Sequence, residues 1–358
     1  MSLYLLLLLD VFIAYTIEVL IGYPRGLPHP ERFIRWLIRS LERVMRFTIR
    51  VSSEKKVKAL GDDVVRNTRK IYRNEKIAGG ILAVLVISIA ISIVFTALKL
   101  CMFVNPILFH VVNIVFIYTS FASRKVSTDA FSVFDALKER EVFNARKMLN
   151  SIVGNETDNL DEKEIIKGTV EITAKNIAGR VVAPIFYALL GTLMGVGAPM
   201  VYAYIAIDAL DSILGHKDRE YKNMGYISAK LDDVANFIPA RLSGFIVVLG
   251  AMVSGKDFKR AYSVMMRDRK KHNSPNFGYP EAAMAGALGI RLGGVGLYFG
   301  DILDKPVIGD DINPLEIRVI TQSVTMMYIV SIIAMIILSA LAILIFVLMG
   351  FIVQYYVP

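Results

Sequence analysis

The sequence predicts an all-α, polytopic integral membrane protein: a helical bundle with a re-entrant or broken helix pair and cytoplasmic helical loops. Three observations predict this class. The chain of 358 residues is 55% hydrophobic, with a mean hydropathy of +0.52. Several apolar runs reach the roughly 18 residues that a helix needs to span a membrane. Strand-type alternation is nearly absent and no sequence repeat divides the chain, so we expect one domain over residues 1–358.

Six segments are predicted to enter the membrane because they are apolar over lengths near that of a spanning helix. The fourth segment is interrupted by the Gly-Val-Gly-Ala-Pro sequence at residues 195–199. Its two half-length arms are better suited to a re-entrant hairpin than to one straight helix. The fifth segment contains Pro239 and Arg241, so a full crossing and a partial one stay open. The six segments are residues 3–22, 79–98, 105–121, 181–207, 237–253 and 325–351.

Basic residues concentrate between the first two of these segments. Residues 22–78 contain 15 Lys/Arg and 6 Asp/Glu, which accounts for the whole formal net charge of +9. By the positive-inside rule this segment is cytoplasmic. Within it, six arginines fall inside a sector of about 80° on a helix, while apolar residues such as Ile34, Ile38 and Val44 point the other way. The arginines are Arg32, Arg35, Arg39, Arg43, Arg46 and Arg50.

This pattern predicts a basic amphipathic helix over residues 32–50. A helix of this kind lies in the membrane interface against anionic lipid. A phosphate-bearing substrate is the alternative partner, and we expect no nucleic acid. Farther along, residues 123–180 are polar and helical, with Asp161 and Glu164 in the spacing of a capping box that starts a helix.

Several aspartates flank apolar segments, where an unpaired carboxylate is costly unless a cation or a positive side chain accompanies it. Asp211, Asp232 and Asp233 are therefore candidate ligands of Mg²⁺, which prefers one or two carboxylates together with phosphate oxygens and water. Helix caps and ion pairs are the alternative interpretation. His29 stands between two prolines, where it can serve either as a base or as a structural turn residue.

Residues 274–294 contain one acid, one arginine, two prolines and five glycines between apolar segments. Glycines let backbone approach a ligand closely and prolines fix the approach angle, while Glu281 and Arg291 supply one charge of each sign. The alternative is a small-residue helix that packs tightly against a neighbour. Arg241, Arg267 and Arg291 are candidate partners of phosphate or carboxylate because the guanidinium fork matches those groups.

Six motifs occur in order along the chain: GLPHPERFI, SIVGNETDNL, LDSILG, KLDDVANFIPARLS, SPNFGYPEAAMAGALGIRLGG and YFGDILDKPVIGD. In this order they resemble the cobalamin-biosynthesis proteins called CbiB or CobD, from the first helix to about Asp310. The resemblance implies an adenosylcobinamide-phosphate synthase of the cell membrane with its site on the cytoplasmic side. Such an enzyme uses ATP and Mg²⁺ to join adenosylcobyric acid to an amino-alcohol phosphate. Other membrane enzymes of cobalamin assembly are candidate partners.

The implied reaction needs an activated carboxylate, with cations to neutralise the transferring phosphoryl group and a base to free the amine. On the resemblance, Asp211, Asp232 and Asp233 are assigned to magnesium nucleotide, Asp211 also as a catalytic residue. Glu281 or His29 is assigned to proton transfer. The residues assigned to phosphate and substrate binding are Arg241, Arg267, Arg291, Asn176, Asn236, Asn276, Gly293 and Gly294.

The chain departs from the family pattern at several motif positions, where charge is removed, moved or reversed. Lys175 stands where the family has an acid, and Arg180 adds a cation. Two alternatives to the synthase therefore stay open: a paralogue that binds a corrinoid or phosphorylated ligand without forming the amide, and a transporter, suggested by acids in the first helix. The amine donor could be aminopropanol, threonine or ethanolamine phosphate. The departing positions are Tyr23, Asn155, Glu156, Lys175, Gly179, Arg180 and Asp208.

Overall fold

The computed structural model describes residues 3–24, 29–60, 64–154, 157–215, 221–298 and 301–356. These residues are overwhelmingly helical, with one short β-hairpin. In chain order the elements are α1 (Leu3–Ile21), α2 (Pro30–Leu60), α3 (Val64–Val104), α4 (Pro106–Tyr118), α5 (Ser123–Lys138), α6 (Val142–Val153), α7 (Glu162–Asn176), a π-helical segment (Ile177–Val182), α8 (Ala183–Leu193), α9 (Gly197–Leu214), α10 (Tyr226–Ala235), α11 (Phe237–Val253), α12 (Phe258–Asp268), α13 (Gly278–Leu288), β1 (Arg291–Tyr298), β2 (Asp301–Gly309) and α14 (Arg318–Tyr356).

The structure confirms the prediction of a polytopic helical membrane protein. Within the part of the chain that is described, six helical stretches are long and apolar enough to cross a membrane. The pair α10 and α11 adds a seventh candidate if it counts as one span. The six stretches are Tyr4–Ile21, Tyr72–Val104, Pro106–Lys138, Glu162–Leu193, Gly197–Leu214 and Arg318–Gly350.

The interruption predicted near residues 195–199 is present, but its arms are longer than expected. The helix that contains α7, the π-helical segment and α8 ends at Leu193, and α9 begins at Gly197. Between them Gly195 adopts a positive φ of 73°, and the amide of Val196 turns back to donate to the carbonyl of Gly191. The prediction of half-length arms was wrong because polar residues of α7 hide the continuation of that helix in a hydropathy pattern.

The expectation of a wholly helical chain was wrong at residues 291–309. Strands β1 and β2 pair antiparallel, with Arg291 opposite Gly309 and a bulge between Leu292 and Gly294. Gly293 and Gly294 have positive φ values of 68° and 87°, a conformation that side chains with a Cβ rarely adopt. The five glycines of this segment conceal the strand alternation in the sequence.

The chain divides into two compact units. Unit 1 comprises residues 1–10, 25–120 and 190–235, and unit 2 comprises residues 11–24, 121–189 and 236–358. In unit 1, α3 packs against α2, α4, α9 and α10. Gly79 of α3 lies so close to the carbonyl of Met224 that a Cβ would overlap it. Asp10 of α1 is buried and accepts hydrogen bonds from Asn113 and His110, each at 2.8 Å.

Helix α2 has the predicted arginine face, but its apolar residues divide into two groups. Ile34 and Ile38 are buried, whereas Phe33, Val44 and Phe47 are exposed. At about 100° per residue, these two groups lie on opposite sides of the arginine row. The helix therefore packs into unit 1 along one side and presents another apolar side outward. The side chain of Arg50 lies outside the described part of the structure.

In unit 2, α13 packs against α11 and α12, and α14 packs against α5, α7 and α11. All residues of α13 except Tyr279 are buried. A Cβ on Gly286 would come within 2.8 Å of the backbone of Ala261 and Arg260, so the small residues of α13 serve close packing against α12. Helix α7 begins with the predicted capping box, in which the side chains of Asp161 and Glu164 bond to each other's backbone amides.

Candidate functional site

Unit 2 contains a cavity of about 230 Å³ between α6, α7, the start of α13, the loop before α13 and the β-hairpin. Its walls combine aliphatic side chains with a group of acids and bases. Of the residues predicted from sequence, Glu281 and Gly293 line it. The ionisable residues of the lining are Glu164, Glu171, Lys175, His272, Glu281 and Lys305.

Glu281 lies in the first turn of α13 with 5% of its surface exposed. The preceding Gly278 brings the start of α13 against the end of α12, because a Cβ there would overlap the carbonyl of Arg269. Oε1 of Glu281 is 3.6 Å from Nε2 of His272. The Nδ1 atom of His272 accepts the amide hydrogen of Ser274 at 2.9 Å, so the proton of a neutral imidazole lies on Nε2 and faces the carboxyl group.

Burial raises the pKa of Glu281 well above its usual value, and the charge of Glu171 adds to this, although Lys175 and Lys305 oppose it. Burial also lowers the pKa of His272, and Lys175 lowers it further. Both shifts favour the neutral forms of the two groups. When Glu281 does ionise, its raised pKa makes the carboxylate a stronger base than an exposed one, and the Nε2–H of His272 faces it.

Helix α7 fixes the β-hairpin at the cavity wall. Oε1 of Glu171 accepts the amide hydrogen of Gly293 at 2.9 Å, and Nζ of Lys167 donates to the carbonyl oxygen of Gly293 at 3.0 Å. The other carboxylate oxygen of Glu171 is 3.4 Å from Nζ of Lys305 on β2. A Cβ on Gly293 would overlap the carbonyl of Pro306, which explains why a glycine occupies this position.

Lys175 and Lys305 give the cavity positive charge from two elements. Lys175 is exposed near the end of α7, and its Nζ is 4.9 Å from the centre of the Phe277 ring. Lys175, where the resemblance led us to expect an acid, lines this cavity. A cationic residue here favours a ligand with an anionic group such as phosphate.

Two further predicted residues meet beside the start of α11. Arg241 donates to Oδ1 of Asn276 at 3.3 Å and to the carbonyl of Phe237 at 2.6 Å. Its guanidinium lies 4.9 Å from the centre of the Tyr279 ring. Asn276 is almost fully buried. Asn236, which precedes α11, is also buried, and Asn176 is half-buried at the end of α7.

Arg267 is held by acids of its own unit. It lies 2.8 Å from Asp268 and 2.9 Å from Asp310. Asp268 is fully buried and also binds Lys271 at 2.7 Å and the amide of Gly309 at 2.9 Å. Burial alone would raise the pKa of Asp268, but these hydrogen bonds hold it well below its usual range. This cluster ties α12 to the end of β2, while Arg291, at the start of β1, is exposed.

Gly294 lies on β1 of unit 2, and the other predicted residues belong to unit 1. Asp232 is buried, Asp233 lies 3.3 Å from Lys230, and Asp211 lies against Gly215 at the end of α9. Nδ1 of His29 accepts the amide hydrogen of Glu31 at 3.2 Å, at the start of α2. Within the described ranges, no group of three or more His, Cys, Asp or Glu side chains converges as a metal site.

Sequence reasoning did not single out Glu171, His272 or Lys305 as site residues. His272 ends the run MRDRKKH, which has the composition of a solvated charged segment, and only the tertiary structure shows that it turns inward. Glu171 and Lys305 are separated by 134 residues, so nothing local indicates their pairing. Two of the departing positions, Asn155 and Glu156, lie outside the described residues.

The sequence of the chain is similar to those of known proteins of one family. The sequence model of the family described as CobD/Cbib protein matches residues 11–327. A protein named cobalamin biosynthesis protein CobD from Clostridium tetani is 39% identical, over 90% of this chain and 93% of its own. Proteins of the same name from Clostridium perfringens and Klebsiella pneumoniae are 34% and 36% identical, over 92% and 90% of this chain and 96% and 93% of their own. No solved structure matches the chain.

Proposed function

The chain belongs to the CobD/Cbib family of cobalamin-biosynthesis proteins, and we propose that it is a membrane-bound adenosylcobinamide-phosphate synthase. The reaction joins a carboxylate of adenosylcobyric acid to the amine of (R)-1-aminopropan-2-ol phosphate, or a related amino-alcohol phosphate, with consumption of ATP. The observation that supports this proposal most is the cavity in which buried Glu281 faces His272 beside Lys175 and Lys305.

The chemistry requires two group transfers. The corrinoid carboxylate first attacks the γ-phosphorus of ATP, which releases ADP and leaves an acyl phosphate. The amine nitrogen then attacks the acyl carbon, the C–O bond to phosphate breaks, and inorganic phosphate leaves. The amine arrives protonated at neutral pH and must lose a proton before it attacks. The carboxylate form of Glu281 accepts that proton, because its raised pKa makes it a stronger base than an ordinary carboxylate.

The cations of the cavity suit the second substrate. Lys175 and Lys305 attract the phosphate of the amino alcohol, which places the amine at the other end of the same molecule near Glu281. Gly293 lines the same cavity and is held there by Glu171 and Lys167. Arg241, Arg291 and Arg267 are assigned to the remaining phosphate and carboxylate groups, with Asn176, Asn236, Asn276 and Gly294 orienting the substrates.

Mg²⁺ is implied by the use of ATP. Mg²⁺ is commonly held by one or two carboxylates together with nucleotide phosphates and water. Asp211, Asp232 and Asp233 would supply the carboxylates. When bound, the ion would neutralise charge on the phosphates of ATP. His29 already serves the turn before α2, so we assign proton transfer to Glu281.

We further propose a cytoplasmic-membrane location with residues 22–78 and the reaction site on the cytoplasmic side. The exposed residues Phe33, Val44 and Phe47 of α2 are suited to the lipid interface, with the neighbouring arginines at the level of anionic headgroups. Corrinoid substrates are amphiphilic and large, and an enzyme at the membrane surface can receive them from other membrane enzymes of cobalamin assembly.

One observation favours a second candidate. Lys175 reverses the charge of the family's acid at a position that lines the cavity. A protein with this change could retain the ligand site and lose the amide-forming step. It would then act as a membrane protein that binds a corrinoid or an amino-alcohol phosphate without consuming ATP.

A reconstitution assay tests the proposed function. Purified full-length protein in detergent is incubated with adenosylcobyric acid, aminopropanol phosphate and Mg-ATP, and both the amide product and ADP are measured. We expect product from the wild-type protein, a roughly 100-fold or greater loss in Glu281→Gln, and little change in Glu162→Gln, which removes an exposed acid of α7. Wild-type protein that binds the corrinoid but releases no ADP would support the second candidate instead.

A further inference from the structure

The arginine row of α2 forms one wall of a separate groove in unit 1. The groove has a volume of about 950 Å³ and is open to the surface. Its opposite wall consists of Ser212 and Ile213 at the end of α9 and of Tyr221. The arginine row therefore lies opposite other residues of unit 1, which the sequence of α2 alone does not indicate. The α2 residues that line the groove are Arg32, Arg35, Trp36, Arg39, Glu42, Arg43 and Arg46.

Two arginines of the row, Arg35 and Arg46, are stabilised by acids, and Arg46 also by an aromatic ring. Arg35 binds Glu31 at 2.7 Å, and Arg46 binds Glu42 at 2.8 Å. The guanidinium of Arg46 also lies 4.8 Å from the centre of the Tyr221 ring, which fixes it against the opposite wall. These contacts hold the groove in shape and neutralise two of its five arginines.

The centre of the row has excess positive charge. Arg39 and Arg43 are exposed, and within the described residues neither forms a salt bridge. Among the described residues, the Nε of Arg43 donates to the carbonyl of Arg39 at 3.3 Å. Arg32 is likewise exposed and lines the same groove. Three guanidinium groups on one side of a groove repel one another unless an anion lies between them.

We propose that this groove is a binding site for phosphate groups, held chiefly by Arg39 and Arg43. The guanidinium fork matches phosphate geometry and forms charge-assisted hydrogen bonds with it. Ser212 offers a hydroxyl on the opposite wall, and Trp36 offers an exposed ring at the groove edge. No amide-forming step uses these residues, and the groove adds a second wall to the lipid-facing role proposed above for α2, so the inference goes beyond both.

Two sources share this chemistry: the polyphosphate of a nucleotide and the headgroup of an anionic phospholipid. The groove volume accommodates a nucleotide, and the exposed apolar side of α2 brings the same arginines close to lipid headgroups. Both sources predict that binding depends on Arg39 and Arg43. They differ in which probe binds and in whether lipid competes.

The test is a binding measurement on purified full-length protein in non-ionic detergent. Inorganic tripolyphosphate and ATP are the soluble probes, and phosphatidylglycerol added to the micelles, with phosphatidylcholine as the neutral comparison, is the lipid probe. The groove variant is Arg39→Gln with Arg43→Gln. The matched control is Arg73→Gln with Arg318→Gln, which removes two exposed charges outside the groove.

We expect the groove variant to weaken binding of the effective probe about tenfold or more, and the control pair to leave it nearly unchanged. Arg39→Lys with Arg43→Lys should give an intermediate loss, because lysine keeps the charge but not the fork. Tripolyphosphate and ATP binding that resists phosphatidylglycerol would identify the nucleotide source, and selective phosphatidylglycerol binding would identify the lipid source.

The proposal is overturned if neither probe binds the wild-type protein, or if the groove and control variants lose affinity equally. A thermal unfolding curve of each variant checks that the groove variant is folded. These measurements involve neither corrinoid nor turnover. A negative result for the groove is therefore distinguishable from a negative result for the amide-forming proposal.

Discussion

Glu281 is the residue on which the proposed chemistry depends most. It is a carboxyl group buried in the first turn of a helix, facing the half-buried imidazole of His272 at 3.6 Å. A helix N-terminus favours the carboxylate form, yet burial outweighs this and raises the pKa of Glu281. The result is a group that ionises at a higher pH than an exposed glutamate, as a base for an amine requires.

This shift predicts the pH dependence of the reaction. The reactive form of Glu281 is the carboxylate, so kcat/KM should fall as the pH falls through its raised pKa, and the acidic limb should lie above pH 4.5. Glu281→Gln should lower kcat/KM and remove the acidic limb of the pH profile. Glu162→Gln should leave kcat/KM and the acidic limb unchanged. A limb at the pKa of an ordinary carboxyl group, or the same limb in Glu281→Gln, would contradict the assignment.

At the residue scale, the sequence identifies the acid but not its partners. Glu281 is visible as an isolated acid among small residues, which is an unusual local composition. Its partner His272 lies in a charged run whose inward turn depends on the bond from the Ser274 amide. Lys305 and Glu171 come together only through the hairpin, which the glycines of residues 291–309 conceal.

At the element scale, the link between α12 and β2 is held by one buried carboxylate. Asp268 binds Arg267, Lys271 and the amide of Gly309. Asp268→Asn should lower the free energy of unfolding by about 1–3 kcal/mol. The reason is that the amide of Gly309 and the cations Arg267 and Lys271 lose the carboxylate that they bind. Asp257→Asn is the matched control, since Asn also caps a helix and the Asp257–Arg260 pair is exposed.

The pH dependence of that loss has a defined sign. Asp268 has a lowered pKa in the folded protein, so its stabilising contribution is present above the unfolded-chain value of about 3.9 and is lost as the pH falls below it. Thermal unfolding in detergent should show a Tm difference between wild type and Asp268→Asn at pH 7 that narrows toward pH 3. A difference independent of pH would show that the carboxylate charge is not responsible.

The elements themselves were predicted with uneven success. Long apolar runs identified the spanning helices because membrane helices need apolar residues throughout their length. The basic helix α2 and the capping box of α7 were also correct, since both are local patterns. The second wall of the arginine groove was not predictable, because Tyr221 and Ser212 reach α2 only through the packing of α9.

At the scale of the whole molecule, the topology predicts the two sides of the membrane. Helix α3 contains a candidate span from Tyr72 to Val104, and the basic segment precedes it. Residues near Arg73 should therefore lie on the cytoplasmic side and residues near Val104 on the opposite side. The native Cys101 is replaced with serine, and single cysteines are introduced at Arg73 or Val104, both exposed.

A membrane-impermeant maleimide should label Val104→Cys in intact cells and label Arg73→Cys only after permeabilisation. Equal labelling of both positions in intact cells would mean that α3 does not cross as proposed. The reverse pattern would place the basic segment, and the proposed reaction side, outside the cell.

The family assignment and the helical architecture follow from motifs and hydropathy spread along the whole chain, whereas the reaction depends on one cavity in unit 2. The claim that the reaction takes place in this cavity is tested most directly by an experimental structure of the full-length protein with aminopropanol phosphate bound. The proposal predicts the ligand in the cavity, with its amine within hydrogen-bond reach of Glu281 and its phosphate beside Lys175 and Lys305. A bound ligand elsewhere, with Glu281 and His272 making no contact to it, would contradict the proposed function.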